Sequence, residues 1–302
     1  MQRAGQARGK LVMTLAKGVS MKVERIAAFA DGEVGGNPAG VVVCDVLPET
    51  IAMQALAAEV GYSETVFAAR SAEDWRVRYF APEVEVDFCG HATIALGAAL
   101  TLRHGDGTFR LQLNNAEITV EGRRVGSTVN AALQSPPTHS KPASNRLVTE
   151  ALALFSYSPA DLDGRIPPAI ASAGADHLVL ALKSRERLSA MSYELDAGRT
   201  FAASEGIVTI SFIYAETPQL FHARNPFPIG GVYEDPATGA AAAALAGYLR
   251  DLGWPHGGAI EIVQGEDMGV RSRLYAQVPS APGASIRVSG MTRLIQLSQV
   301  DA

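Results

Sequence analysis

The chain has 302 residues, of which 47% are hydrophobic and 19% charged, with a formal net charge of -5. Such a composition belongs to a globular protein long enough for two domains, and its acidic balance excludes the clustered basic charge of a nucleic-acid binder. No run reaches the roughly 18 apolar residues of a membrane span, and two cysteines, Cys44 and Cys89, are too few for a disulfide framework or a zinc site built on thiolates.

A soluble protein of a reducing, cytoplasmic compartment is therefore expected. Residues 1–20 carry Arg3, Arg8, Lys10 and Lys17 and no acidic residue. Their apolar stretch, Leu11-Val12-Met13, is too short for a secretory signal, and the segment is expected to be a disordered extension or an upstream-start artefact. From Met21 a strand pattern begins, Lys22 to Phe29, followed by a buried strand at Val41-Val42-Val43-Cys44 after a turn cluster at 35–40. Ile51 to Val60 has helical spacing and stops at Gly61. Thr65-Val66-Phe67 and Trp75 to Phe80 read as strands.

Gly90-His91-Ala92-Thr93 then runs into a helix of small residues that ends at Arg103-His104-Gly105. Phe109 to Leu113 and Ile118 to Val120 form an antiparallel pair around Asn114-Asn115, and Val129 to Leu133 is a further strand. Residues 134–142, rich in proline and serine, read as a linker. The pattern then begins again. A helix at Arg146 to Phe155 is followed by strands at His177 to Leu182, Ile207 to Tyr214 and Gln219 to Arg224. Asp235-Pro236-Ala237-Thr238-Gly239 opens a second small-residue helix with five consecutive alanines, which stops at Gly253. Late strands lie at Ile260 to Val263, Arg273 to Val278 and Ile286 to Ser289.

This order implies an α+β protein of two similar halves, residues 21–135 and 136–302, with the last strand free to return to the first half. A helix apolar on every side must be buried all round. Each half therefore reads as a strand barrel around a central helix, with both helix N-termini aimed into one cleft, where a small carboxylate would meet unpaired N–H groups.

Three side chains stand out. His91, at a helix start, reads as a substrate-holding neutral imidazole, or as an N-cap bonding its own backbone. Asp235 reads as a ligand group or as plain N-terminal capping, and the Thr238-Gly239-Ala240 N–H groups could cradle a carboxylate. Glu64, before an apolar strand, reads on its own as an exposed strand-edge residue. Inside a cleft, partial burial would instead suit it to proton transfer.

Ser63-Glu64-Thr65, Asp87-Phe88-Cys89-Gly90-His91-Ala92-Thr93 and Glu234-Asp235-Pro236-Ala237-Thr238-Gly239 together resemble the PhzF-type, phenazine-biosynthesis-like isomerases. Gly36 to Val41, Arg78 to Pro82 and Gln264-Gly265 add to the likeness, which runs from Met21 to the C-terminal strands. The resemblance implies a diaminopimelate epimerase-like fold and a homodimeric isomerase with neither cofactor nor metal. It would act on a small carboxylic acid, as the family's defining member moves a proton between ring carbons of trans-2,3-dihydro-3-hydroxyanthranilate. Carried over, Glu64 is the acid/base, His91 and Asp235 position the substrate and assist, and Gly90, Thr238, Gly239 and Ala240 bind its carboxylate. The family usually has serine where this chain has Ala240, and Met268 to Ser272 also departs from its pattern.

Other classes fit less well. A two-thiol racemase needs a cysteine at each helix start, and the second motif offers Pro236-Ala237 instead, so Cys89 reads as a small buried residue. Strand–GxGxxG–helix spacing and a Gly-x-Ser-x-Gly elbow are both absent. A non-catalytic binding protein of the same fold is favoured only by Ala240.

Overall fold

A computed structural model describes residues 11–14 and 20–295. The described residues form two compact units: one holds 11–14, 20–33, 38–133 and 291–295, the other Val34–Asn37 and Gln134–Gly290. The boundary at 133/134 lies two residues before the expected 135/136, and the short stretch 34–37 goes with the second unit. Of residues 1–20, expected to be disordered, Leu11–Thr14 form strand β1 and Ser20 opens β2 (Ser20–Ala30), antiparallel to it. The remainder of that segment lies outside the described residues.

In the first unit β3 (Asn37–Cys44) pairs parallel with β4 (Thr65–Ser71), and α1 (Thr50–Val60) makes the crossover that a parallel pair requires. Gly61, at φ 70°, ends α1 in the left-handed conformation that glycine allows. β4 pairs antiparallel with β5 (Asp74–Phe80), which takes the short β6 (Glu85–Val86) and, beyond α2 (Gly90–His104), the parallel β7 (Gly107–Gln112). β7, β8 (Glu117–Val125) and β9 (Thr128–Gln134) form an antiparallel meander.

Every residue of α2 from His91 to Thr101 is buried. Ala92, Ala95, Leu96, Ala99 and Leu100 share one core with Val41, Val66, Val77, Leu111 and Val120 of the surrounding strands. The small residues set the spacing. A Cβ on Gly122 of β8 would stand 1.8 Å from Thr101 Oγ1, so strand and helix approach at a distance only glycine permits.

In the second unit β10 (His139–Pro142), β11 (Ala169–Ser172) and β12 (Asp176–Ala181) are antiparallel, and β12 runs parallel to β13 (Thr209–Ala215). The stretch 134–142 read as a linker thus contains a strand, His139–Pro142, because its alternating backbone finds β11 as a partner. β14 (Leu220–Phe227) pairs antiparallel with β13 and β15 (Val232–Asp235), and parallel with β16 (Ala259–Gln264). β17 (Ser272–Gln277) and β18 (Arg287–Leu294) follow antiparallel, and β18 passes at 290/291 into the first unit to pair with β2.

α3 (Asn145–Leu154), α4 (Arg185–Ser189) and α5 (Leu195–Glu205) lie outside this sheet, with Leu147, Leu152 and Phe155 packed on Leu178, Leu180 and Phe212. α6 (Gly239–Asp251), the alanine-rich helix, is buried from Ala241 to Arg250 and packs on β10, β11, β12, β16 and β17. Both small-residue helices are therefore enclosed by the strands of their own units, in a mixed α+β fold.

His177 of β12 is 1% exposed, with Nδ1 2.7 Å from Thr209 Oγ1 across the parallel pair. Burial pushes its pKa down from 6.5 to about 4. Between those values the unfolded chain binds more protons than the folded one, so stability falls as pH drops through the window, by ~3 kcal/mol in all. His177→Gln is expected to lose that share of acid sensitivity. Urea unfolding of both proteins at pH 7 and near pH 4 measures it, and equal acid losses would refute it.

Candidate active site

Glu64 is fixed by the turn that leaves α1: Gly61 caps the helix, and the Glu64 carbonyl accepts the Gly40 N–H at 3.2 Å just before β4 begins. Its side chain is 15% exposed, and Oε2 lies 3.3 Å from His91 Nε2. The exposed strand-edge reading of Glu64 is thereby corrected: pairing of β3 with β4 draws its carboxylate over the start of α2. The contact is close without hydrogen-bond alignment, and Glu64 Oε2 is a buried atom with no hydrogen-bond partner.

His91 occupies the second position of α2. The N-cap is Cys89, in extended conformation, and no side chain caps the helix, so His91 does not act as its own cap. The ring sits among Glu64, Ser63 Oγ at 3.4 Å from Nε2, and Cys89 Sγ at 3.3 Å from Nδ1. Thr93 braces this turn from inside. Its hydroxyl donates to the Cys89 carbonyl at 2.7 Å and therefore accepts from the Tyr79 hydroxyl of β5, also at 2.7 Å. Tyr79 is fully buried, and burial raises its pKa above the ordinary tyrosine range, which keeps that donor in place. Gly90 is open on its outer side, where an added Cβ would meet only Leu133 Cδ2 at 3.9 Å.

The second motif lies wholly within the other unit. Asp235 ends β15 opposite Asn225 of β14. It does not cap α6, whose N-cap is Thr238. Instead its carboxylate accepts from Asn37 Nδ2 at 2.7 Å and from the Thr238 hydroxyl at 2.6 Å. Beneath it the Gln264 amide, 1% exposed, fills all four of its hydrogen-bonding positions. Nε2 donates to the Asp235 carbonyl (2.6 Å) and Thr238 Oγ1 (3.0 Å), while Oε1 accepts from Thr238 N–H (3.1 Å) and Asn225 Nδ2 (3.2 Å). Gly265 follows at φ 72°, where a Cβ would stand 2.8 Å from the Pro236 carbonyl. Arg224 and Glu234, both nearly buried, form a forked pair that ties β15 to β14, and Arg224 also donates to the Ser189 and Met191 carbonyls.

The Thr238 N–H, expected to help cradle a carboxylate, is thus already bound to Gln264. Gly239 and Ala240 supply N–H groups that, at a helix start, have no acceptor inside the helix.

The sequence matches the family described as phenazine biosynthesis-like protein over residues 26–295. The chain belongs to that family, and it is an isomerase. It is 34% identical to a trans-2,3-dihydro-3-hydroxyanthranilate isomerase of Pseudomonas aeruginosa over 277 residues, covering 88% of this chain and 92% of the other. The fold is shared with a Bacillus anthracis PhzF-family structure (TM-score 0.78, 22% identity, covering 91% of this chain and 96% of that one). It is also shared with a probable proline racemase of Agrobacterium radiobacter (TM-score 0.62, 10% identity, covering 93% and 92%).

The racemase likeness extends to the fold alone. Cys44, the only thiol besides Cys89, lies in β3 of the same unit and bonds to the Ala68 carbonyl. Burial, with a smaller contribution from Asp45, raises its pKa to about 11, so it stays a thiol.

Sequence reasoning passed over Asn37 and Gln264 as site residues, treating them as family signature alone. A signal was present in Ile260-Glu261-Ile262-Val263-Gln264-Gly265: an uncharged polar amide ending an apolar strand is buried only when its hydrogen bonds are met. Gln264→Leu is expected to leave the Thr238 N–H and the Asn225 amide unpaired, lowering stability by ~1–3 kcal/mol for each. Chemical denaturation of the variant measures the loss, and an unchanged midpoint would show that the clamp carries no stability.

Proposed function

We propose that the protein is a cofactor-independent isomerase that moves a proton between carbons of a small amino- or hydroxy-carboxylic acid, with Glu64 as the acid/base. The observation that carries this is the pairing of a mostly buried carboxylate, whose Oε2 lacks a hydrogen bond, with an imidazole nitrogen 3.3 Å away. The Glu64 carboxylate takes a proton from one carbon of the substrate. The electron pair of that C–H bond shifts into the adjacent unsaturated system, and the carboxylic acid so formed returns the proton at another carbon. Composition is unchanged and the electrons never leave the substrate, so the reaction requires no external electron acceptor.

His91, anchored in the first turn of α2, donates from Nε2 to the substrate as charge develops. Asp235, held by Asn37 and Thr238, accepts from the substrate's amino or hydroxyl group. The family resemblance assigns its carboxylate to the N–H groups of Gly90, Gly239 and Ala240, each at a helix start that favours negative charge. Thr238 serves through the motif, since its own donors are engaged there. The named Pseudomonas aeruginosa relative supports trans-2,3-dihydro-3-hydroxyanthranilate as the first substrate to test. A cytoplasmic homodimer completes the reading.

Incubation of that compound with the protein in D2O, followed by NMR, is expected to show deuterium entering a carbon position. Glu64→Gln should slow it by about 10²–10⁴-fold. Exchange at the wild-type rate in that variant would remove Glu64 from the role, and binding without any exchange would remove the reaction. Ala240→Ser, which restores the hydroxyl usual in the family, is expected to tighten substrate binding by ~1 kcal/mol, roughly fivefold in KM. Steady-state kinetics decide it, and a KM that does not fall would show that residue 240 lies off the carboxylate.

A further inference from the structure

Cys89 has no step in the proposed reaction, yet it touches His91 and lies within 4.8 Å of Glu64. Its Sγ is 3.3 Å from His91 Nδ1 and 3.9 Å from Nε2, and Nε2 is 3.3 Å from Glu64 Oε2. One ligand atom from each of Glu64, Cys89 and His91 lies within 4.8 Å of the others. A tetrahedral ion with bonds of ~2.0–2.1 Å to nitrogen and oxygen and ~2.3 Å to sulfur holds an N,O pair ~3.3 Å apart and an N,S pair ~3.6 Å apart. The nitrogen–oxygen separation already matches, and the nitrogen–sulfur one differs by a few tenths of an ångström.

The frame around these atoms suits a preformed site. Cys89 and His91 are two residues apart on a turn pinned by Thr93 and Tyr79, and the buried Glu64 Oε2 has no hydrogen-bond partner. A helix N-terminus repels a cation, so the charge must come from elsewhere. A Cys89 thiolate and the Glu64 carboxylate together supply two negative charges against two positive, with release of the thiol proton on binding. Sulfur with imidazole selects zinc-like ions over magnesium or calcium.

We propose that Glu64, Cys89 and His91 form an inhibitory site for a thiophilic divalent cation of the zinc class. The expectation from sequence was that the chain has no metal site. The ion takes the lone pairs of Glu64 Oε2 and His91 Nε2, leaving neither free to handle a proton. Inhibition rests on the acid/base reading of Glu64, whereas binding does not.

Titration of the full chain with Cd2+, followed by the ultraviolet sulfur-to-cadmium charge-transfer band, separates the two. The band is expected to saturate at one ion per chain in wild type and in Cys44→Ser, and to vanish in Cys89→Ser. Affinity should fall at least about tenfold in Glu64→Gln and in His91→Gln, variants that carry the test should Cys89→Ser not fold. A band that survives Cys89→Ser, or an affinity unchanged in both other variants, overturns the site. Zinc should stop substrate deuteration and a chelator restore it. Turnover indifferent to bound zinc overturns the inhibitory role, while zinc-class binding without any turnover upholds the site and refutes only the proposed reaction.

Discussion

The all-round burial of α2 and α6 is the constraint on which the remaining structure depends. A helix enclosed by strands on every side can be no thicker than its enclosure, and this chain meets the limit with alanine and glycine. Gly122 lets β8 approach Thr101, and Gly247 of α6 does the same for Thr138, whose Cβ would stand 2.6 Å from an added methyl. Apolar burial supplies the driving force, at about 25 cal/mol per Å². The close approach fixes where each helix must start and stop, and the side chains at those starts inherit fixed positions.

An enclosed helix raises a second problem, because its first N–H groups cannot all be satisfied from within. The two units answer it differently. In α2 the start is held from beneath by Tyr79, Thr93 and the Cys89 carbonyl, which leaves His91 to project among Ser63, Glu64 and Cys89. In α6 the residue before the helix is held by the Gln264 amide and the Asp235 carboxylate, with Asn37 as a second clamp. One arrangement sets an imidazole beside a carboxylate, and the other fixes a carboxylate that accepts from Asn37 and Thr238. Proton handling suits the first and recognition the second.

Elements with strong periodicity were legible from the chain alone. Both small-residue helices, α1 with its terminal glycine, the β7–β8 pair around Asn114-Asn115 and the late strands all appear where their patterns lie. The strands β6, β11 and β15 have two to four residues, too few to show alternation. α5 contains Gly198 and Thr200 and takes its start from Glu194, whose side chain accepts the Ala197 N–H, so its helicity comes from packing on the Pro228–Gly230 turn and α3 rather than from propensity. β10 was hidden by prolines at both ends of the segment read as a linker, although the backbone between them pairs fully with β11.

The candidate site divides along the same line. His91 and Asp235 were visible because they adjoin helix starts that the sequence marks clearly. Glu64 could be ranked only through resemblance, since nothing local distinguishes a buried carboxylate from an exposed one ahead of a strand. What decides it is a pairing between residues far apart in the chain: β3 lies parallel to β4, Gly40 donates to the Glu64 carbonyl, and the side chain is turned over α2. Gln264 was obscured for the same reason, because a saturated amide reveals itself only through partners that arrive from β14 and the Asp235 motif. Cys89 is the converse case. Residue type alone makes it a small buried thiol, and only its contact with His91 and its place within 4.8 Å of Glu64 suggest more. In this chain the residue types that carry chemistry are ordinary, and distance between them is what gives them roles.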